Sequence, residues 1–304
     1  MSLIATRDQA GAVRMVRMGL ASRQALIAYL FLFPAFVYFC IFFFYPIGVE
    51  LWSSLQNNDS GVFAGLQNYI QAFQDPRVLN SFKVTGLFAL GVTVLSIIIG
   101  LGLAILLDQP LRGRVILRAC LLTPYITSGV IVGLMWRNIL DPATGILNRV
   151  FAILGLPPQD WLSNYQAALP VLIVIMVWHG VGYTMILFLA GLQGIPPEYA
   201  EAASVDGATH WQRFRHITLP LLAPTTLFVS IISVISSLQA FSEALIITQG
   251  GPAEATRLYV YHVFNVAFNE NNIAYASALT FLMFLAILLL TTLQLRIGGN
   301  DIEY

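Results

Sequence analysis

Six long apolar runs leave this chain little freedom in fold class. They are Ala25–Ile47, Val84–Leu107, Val115–Ile139, Ala167–Leu192, Ile217–Ala240 and Ala274–Leu295. A helix needs roughly 20 mainly apolar residues to cross a bilayer. Lipid offers no partner for backbone N–H and C=O groups, so a spanning segment must be a helix or part of a closed barrel. Runs of this length and apolarity predict helices, hence an all-α polytopic membrane protein with six transmembrane helices. Only 10% of the residues are charged and 58% are hydrophobic, against about 25% charged in a soluble domain. That excludes a soluble enzyme. The net charge of zero removes any electrostatic case for nucleic acid.

Basic residues flank the cytoplasmic ends of spans. An N-in/C-in arrangement puts Arg7, Arg14, Arg17, Arg23, Arg112, Arg114, Arg118, Arg213, Arg215 and Arg296 inside. It leaves Arg77, Lys83, Arg137, Arg149 and Arg257 outside. The expected organisation is a cytoplasmic segment 1–24, a permease domain 25–296 and a cytoplasmic tail 297–304. Residues 1–24 lack the apolar core of a signal peptide. Val13, Met15, Val16, Met18 and Leu20 lie among arginines there, a pattern that fits either an amphipathic helix on the inner leaflet or a basic tail that sets topology. Cys40 and Cys120 both fall in apolar runs and read as structural thiols. No metal-ligand spacing is present.

Between the fourth and fifth runs lies a polar island, 193–216, which this orientation makes cytoplasmic. Pro196-Pro197 stops the fourth helix. Glu198 to Val205 are good helix formers with an acid in the first turn. Asp206-Gly207 breaks the chain, and Ala208 to His216 form a second short helix that brings Trp211 and Phe214 to one side. Pro220 then opens the fifth span.

The residues Glu201, Ala202, Ala203, Asp206, Gly207, Ala208, Ile217, Leu219 and Pro220 resemble the coupling loop of binding-protein-dependent ABC-importer permeases. The likeness extends over nearly the whole chain. Gly65-Leu66-Gln67-Asn68-Tyr69 with Asp75-Pro76 resembles the first outer loop of carbohydrate-importer permeases. Thr248-Gln249-Gly250-Gly251-Pro252, with Thr256, Tyr261 and Ala267-Phe268, resembles their last one. The group is the maltose and glycerol-3-phosphate type, and the chain is most similar to its first subunit, without that maltose permease's extra N-terminal spans and outer insertion. The resemblance implies the importer permease fold, with 193–216 as a coupling helix in a groove of an ATPase. Glu201 would pair with a basic residue there, Ala202 and Ala203 would allow close approach, and Gly207 would make the turn. It further implies a second homologous permease subunit, an ATPase dimer and an extracytoplasmic solute-binding protein, in a bacterial plasma (inner) membrane. This chain has no phosphate loop, so ATP and Mg belong to the partner ATPase and no cofactor is expected here.

Polar side chains inside spans are costly and tend to face a cavity. Ser233, Ser236, Ser237 and, less well, Ser230 share one helical face. That face serves either a pathway or helix packing. The resemblance places the sugar site near Gly180 and Tyr183 on one side, and Ser233, Ser237 and Gln239 on the other. Trp178 fits either stacking on a sugar ring or packing. His179 reads as a hydrogen-bonded structural residue. Glu243 suits substrate hydroxyls or the partner permease. No Lys or Arg occurs between Ala167 and Ala240 outside the loop, which favours a neutral sugar or oligosaccharide over glycerol-3-phosphate or a glycerophosphodiester. A secondary transporter would need intramembrane carboxylates for an ion relay, and an enzyme would need a convergent catalytic cluster. Neither pattern is present.

Overall fold

In a computed structural model the chain is described for residues 24, 25 and 27–299. Residues 1–23 of the expected N-terminal segment and tail residues 300–304 lie outside them. Helix α1 (Ile27–Ser54) is apolar over most of its length. Its one irregularity is a π-helical turn, Cys40–Phe44. Pro46 has no N–H to give the carbonyl four residues back and its ring crowds that carbonyl, and a widened turn accommodates both effects. A short helix α2 (Gln67–Gln74) leads to α3 (Pro76–Asp108). This helix begins eight residues before the expected Val84. Asp75 accepts a hydrogen bond from the Arg77 N–H at 2.9 Å, and Pro76 occupies the first position, where a missing N–H costs nothing.

The expected third span is not one helix. It is α4 (Arg114–Ile126) and α5 (Gly129–Ile139), bent by 96° at the break. Pro124 weakens the end of α4, and Ser128 takes an extended ψ of 133° before α5. Helix α6 (Ile146–Ile153) follows. Helix α7 (Ala168–Gln193) stands within a residue of its expected bounds. The island supplies α8 (Pro197–Val205). The fifth expected span is also bent. Helix α9 (His210–Leu221) and α10 (Ala223–Leu238) meet at 64°. Helicity therefore starts at His210, ten residues ahead of Pro220, and Pro220 sits within α9. A π-turn, Phe214–Thr218, precedes Pro220, as the one in α1 precedes Pro46. Helices α11 (Tyr259–Phe264) and α12 (Ile273–Gly299) complete the described chain.

Among the described residues, four helices are thus long and apolar enough to cross a membrane, or up to six with each bent pair counted once. Among the described residues, the sole β feature is an isolated bridge, Gln56 to Phe63.

The core is the seam of α3 and α7, where Phe88, Val92, Leu172, Ile175 and Val181 are buried. Small residues allow helices to close up where lipid gives no hydrophobic drive. At Gly182 a Cβ would lie 2.0 Å from the Leu121 carbonyl oxygen, so α4 rests directly on the α7 backbone. At Gly100 it would lie 2.5 Å from Thr184 Cγ2. By contrast α1 is largely exposed, and it meets α12 at its far end through a hydrogen bond from Ser277 to Glu50.

Candidate functional site

Two features converge on the α7–α10 region, the polar loop and a cavity midway along α7. In the loop, α8 ends in a tight cap. Gly207 is left-handed, with φ +76°. Its N–H bonds the Ser204 carbonyl at 3.2 Å, and that of Ala208 bonds the Ala203 carbonyl at 2.9 Å. This is the Schellman arrangement, in which the residue after the cap must be left-handed and glycine suits best. Helix α9 then opens on a capping box. Thr209 Oγ1 accepts from the Gln212 N–H at 3.3 Å, and Gln212 Oε1 accepts from the Thr209 N–H at 2.8 Å. The Asp-Gly-Ala spacing is therefore a helix stop followed at once by a helix start. Glu201 and Ala202 are exposed, and Ala203 is half-buried. Among the described residues Glu201 has no ion-pair partner. Apolar side chains also project from the loop, Val205 with 88% of its surface exposed and Trp211 with 65%. Ile217, Leu219 and Pro220 belong to α9, which runs without interruption from the loop into the apolar body.

The cavity, of about 130 Å³, is lined by α3 (Val92, Ser96), α4 (Tyr125), α7 (Met176, His179, Gly180, Tyr183, Thr184) and α10 (Ile232, Ser233, Ser236, Ser237). Gly180, Tyr183, Ser233, Ser236 and Ser237 thus meet at one place. Tyr125 stacks on Tyr183 with ring centroids 4.6 Å apart and planes within 6°. His179 Nε2 lies 3.3 Å from the Thr127 carbonyl at the α4–α5 break, a contact in which it must donate. Ser237 donates to the Ser233 carbonyl at 2.7 Å, so its hydroxyl proton is committed to the helix. Ser230 faces elsewhere, with Gln294 of α12 3.4 Å away.

The other three candidates do not line this cavity. Trp178 packs edge-on against Trp136 at 5.4 Å. Gln239 is exposed at the C-cap of α10. Glu243 is buried beside Gly129, the first residue of α5, where the positive end of a helix favours a carboxylate. Sequence reasoning missed Tyr125, Ser96 and Thr184. Only Tyr125 had a signal, Pro124 beside it in the last turn of α4 before the break.

At the opposite end of the bundle a second pocket, of about 200 Å³, is lined by Gln249, Gly250, Glu254, Arg257 and Tyr261. Glu254 pairs with Arg257 at 2.5 Å and Arg77 at 3.8 Å. His262 beside it is 1% exposed, with neither ring nitrogen hydrogen-bonded. Burial, helped by the positive Arg257, pushes its pKa down to about 4. Exposed Asp141 sits below its usual range because the Thr144 N–H and hydroxyl donate to its carboxylate. No cluster of three His, Cys, Asp or Glu able to hold a metal occurs among the described residues.

Residues 94–298 match the family described as binding-protein-dependent transport system inner membrane component. The chain belongs to that family. It is a multi-pass inner-membrane protein. It is 33% identical over 288 residues to the sn-glycerol-3-phosphate transport system permease protein UgpA of Agrobacterium fabrum, covering 92% of this chain and 97% of that one. It is 32% identical over 280 residues to the trehalose/maltose transport system permease protein MalF of Thermococcus litoralis, covering 91% and 95%. A subunit of a bacterial ABC transporter that imports the acidic polysaccharide alginate has the same fold, with TM-score 0.83 and 21% identity over 94% of this chain and 100% of that one. The importer permease fold is therefore present, with two of its expected spans bent.

Proposed function

We propose that this chain is the permease subunit of an ATP-driven importer and forms half of the pathway for a sugar or oligosaccharide. One observation carries the reading. The polar loop leads through α9 directly into α10, which it meets at a 64° bend and which carries the serine face, so motion at one end can reach the other. In this reading the two bent pairs each count as one span, giving six, with both termini inside. Residues 1–24 and 297–304 are cytoplasmic flanks of a permease domain, 25–296. The loop 193–216 docks on an ATPase dimer that binds ATP and Mg. Glu201, exposed and without an ion-pair partner among the described residues, meets a basic residue of that ATPase, and Val205 and Trp211 enter its groove. Ala202 and Ala203 keep the approach close, and Asp206, Gly207, Ala208, Ile217, Leu219 and Pro220 hold the shape of the loop. A second homologous permease completes the cavity, and a solute-binding protein delivers the cargo. A periplasmic protein is bound to the alginate transporter in one of its structures.

The solute meets Gly180, Tyr183, Ser233, Ser236 and Ser237. Tyrosine faces and hydroxyls suit a neutral sugar, and the cavity lining contains no Lys or Arg. Gln239, Trp178 and Glu243 act outside this cavity, Glu243 by holding the start of α5. The similarity to a glycerol-3-phosphate permease supports a second reading, in which the partner permease supplies the cation for glycerol-3-phosphate or a glycerophosphodiester.

The test begins with purification of the tagged chain from native membranes. Co-purification of a second permease, an ATPase and a binding protein is expected. In the reconstituted complex, Glu201→Gln and Gly207→Ala should each lower solute moved per ATP hydrolysed while the chain stays folded. A chain that purifies alone and transports in liposomes without ATP, or normal coupling in both variants, overturns the reading.

A further inference from the structure

The two arms of the 193–216 loop are joined by only four residues, Asp206 to Thr209. The backbone bonds of that joint return to α8 itself, at Ala202, Ala203 and Ser204. They finish α8 but do not orient α9. The capping box likewise closes only the start of α9. Left-handed Gly207, with nothing within 4 Å of where a Cβ would stand, makes the joint soft.

Arg213 supplies the missing tie. Its Nη1 donates to Ser204 Oγ at 2.8 Å, across the joint and nine residues back in sequence. Among the described residues this is the hydrogen bond that runs from α9 to α8 beyond the joint itself. Ser204 spends its own proton on the Ala200 carbonyl at 2.6 Å, so its lone pairs are left for the guanidinium. Arg213 Nη2 is anchored 2.6 Å from His210 Nδ1, one turn earlier on its own helix. An arginine has no acceptor, so Nδ1 accepts and the His210 proton sits on Nε2. The planar fork is thereby held between two fixed acceptors, a geometry that lysine cannot reproduce. The third guanidinium nitrogen, Nε, is buried.

We infer that Arg213 is a positioning residue, a strut that fixes the angle between α8 and α9 so that a displacement of α8 is delivered into α9 and α10 instead of being absorbed at Gly207. This rests on the coupling role proposed above and adds to it a residue outside the pattern that marks the loop.

Arg213→Met keeps the stem and removes the fork. In the complete reconstituted complex it should lower solute moved per ATP about fivefold, the lower end of typical coupling factors, because the tie is partly solvated. Co-purification with the ATPase should be unchanged. Arg213→Lys should restore part of the loss through Ser204 alone. Ser204→Ala should mimic Arg213→Met, and the double variant should be no worse than either, since both remove one bond. Spin labels at exposed Glu198 and Arg215 should give a broader distance distribution in Arg213→Met, which a merely local structural role would not produce. A coupling ratio within about twofold of wild type with an unchanged distance distribution overturns the strut, as does additive loss in the double variant. If Arg213→Met couples normally while Glu201→Gln does not, the strut fails and the docking reading stands. If both couple normally, the docking reading itself fails.

Discussion

Gly182→Ala isolates the close contact between α4 and α7. The added Cβ would lie 2.0 Å from the Leu121 carbonyl oxygen, 2.6 Å from its carbon and 2.9 Å from Leu122 Cα. All three are backbone atoms, so no side chain can rotate away. A carbon needs roughly 3.3 Å from an oxygen, so α4 must retreat by about 1.3 Å. Overpacking of this kind costs about 1–3 kcal/mol, and the rigid neighbours place it at the upper end. Alanine recovers up to about 1 kcal/mol of helix propensity, leaving a net loss of about 2 kcal/mol. Gly180→Ala is the internal control, because nothing lies within 4 Å of its Cβ. It should be neutral or slightly stabilising. Thermal unfolding of the purified protein in detergent is the assay. The expected drop for Gly182→Ala is about 5 °C, and the two variants should differ by more than that. The retreat of α4 should also part Tyr125 from Tyr183. If Gly182→Ala melts within about 1 °C of Gly180→Ala, the helices are not in backbone contact and the argument fails.

Two further outcomes are expected. His262 is held neutral, with a folded pKa near 4 against 6.5 unfolded, so protonation favours the unfolded chain. Above pH 6.5 the residue is neutral in both states. Between pH 6.5 and 4 stability should fall by up to about 3 kcal/mol in all, then level off. Arg257 and Arg77 oppose the proton and Asp75 and Glu254 attract it. His262→Phe should flatten the pH dependence of melting over that window, and an unaltered slope would refute the assignment. Ser236→Leu should fill the small cavity beside Tyr183 and lower solute uptake about tenfold at an unchanged membrane level of the chain, measured with labelled solute in liposomes.

Much of this architecture was legible in the residues. Helix α7 has no Asp, Glu, Lys or Arg between Gln166 and Gln193 and is mostly apolar, so hydropathy alone placed its ends. Gly207 announced its turn because few other residues tolerate the left-handed backbone. The start of α3 was missed although Asp75-Pro76 is a helix-opening pair, because Arg77 and Lys83 interrupt the apolar run. The bends at Thr127 and Leu222 were missed for a different reason. A run of apolar residues reports the cost of exposure to water, which is the same for a straight helix and a broken one. Pro124 and Pro224 were visible, but prolines also occur in straight spans when neighbours satisfy the freed carbonyls. Of the pathway candidates, Ser233, Ser236 and Ser237 share one face of α10, where helical spacing could find them, while Gly180 and Tyr183 were reached through the family resemblance. Trp178 and Glu243 were singled out by residue type alone, and their locations were set by Trp136 and by α5, which no local pattern encodes.

Gly100 and Gly182 bear on how a saturation mutagenesis scan of this chain should be read. At each, a neighbouring helix already occupies the space a side chain would need, so substitution is penalised more steeply the larger the residue. A growth selection would score both as intolerant of large side chains of every chemistry, the profile usually assigned to ligand contacts. Neither lines the cavity. Ser233 and Ser236, which do, have room for several small polar residues and would score as permissive. In this protein, intolerance maps where helices touch, and the positions that choose the cargo are to be sought among those that tolerate change but alter which solute supports growth.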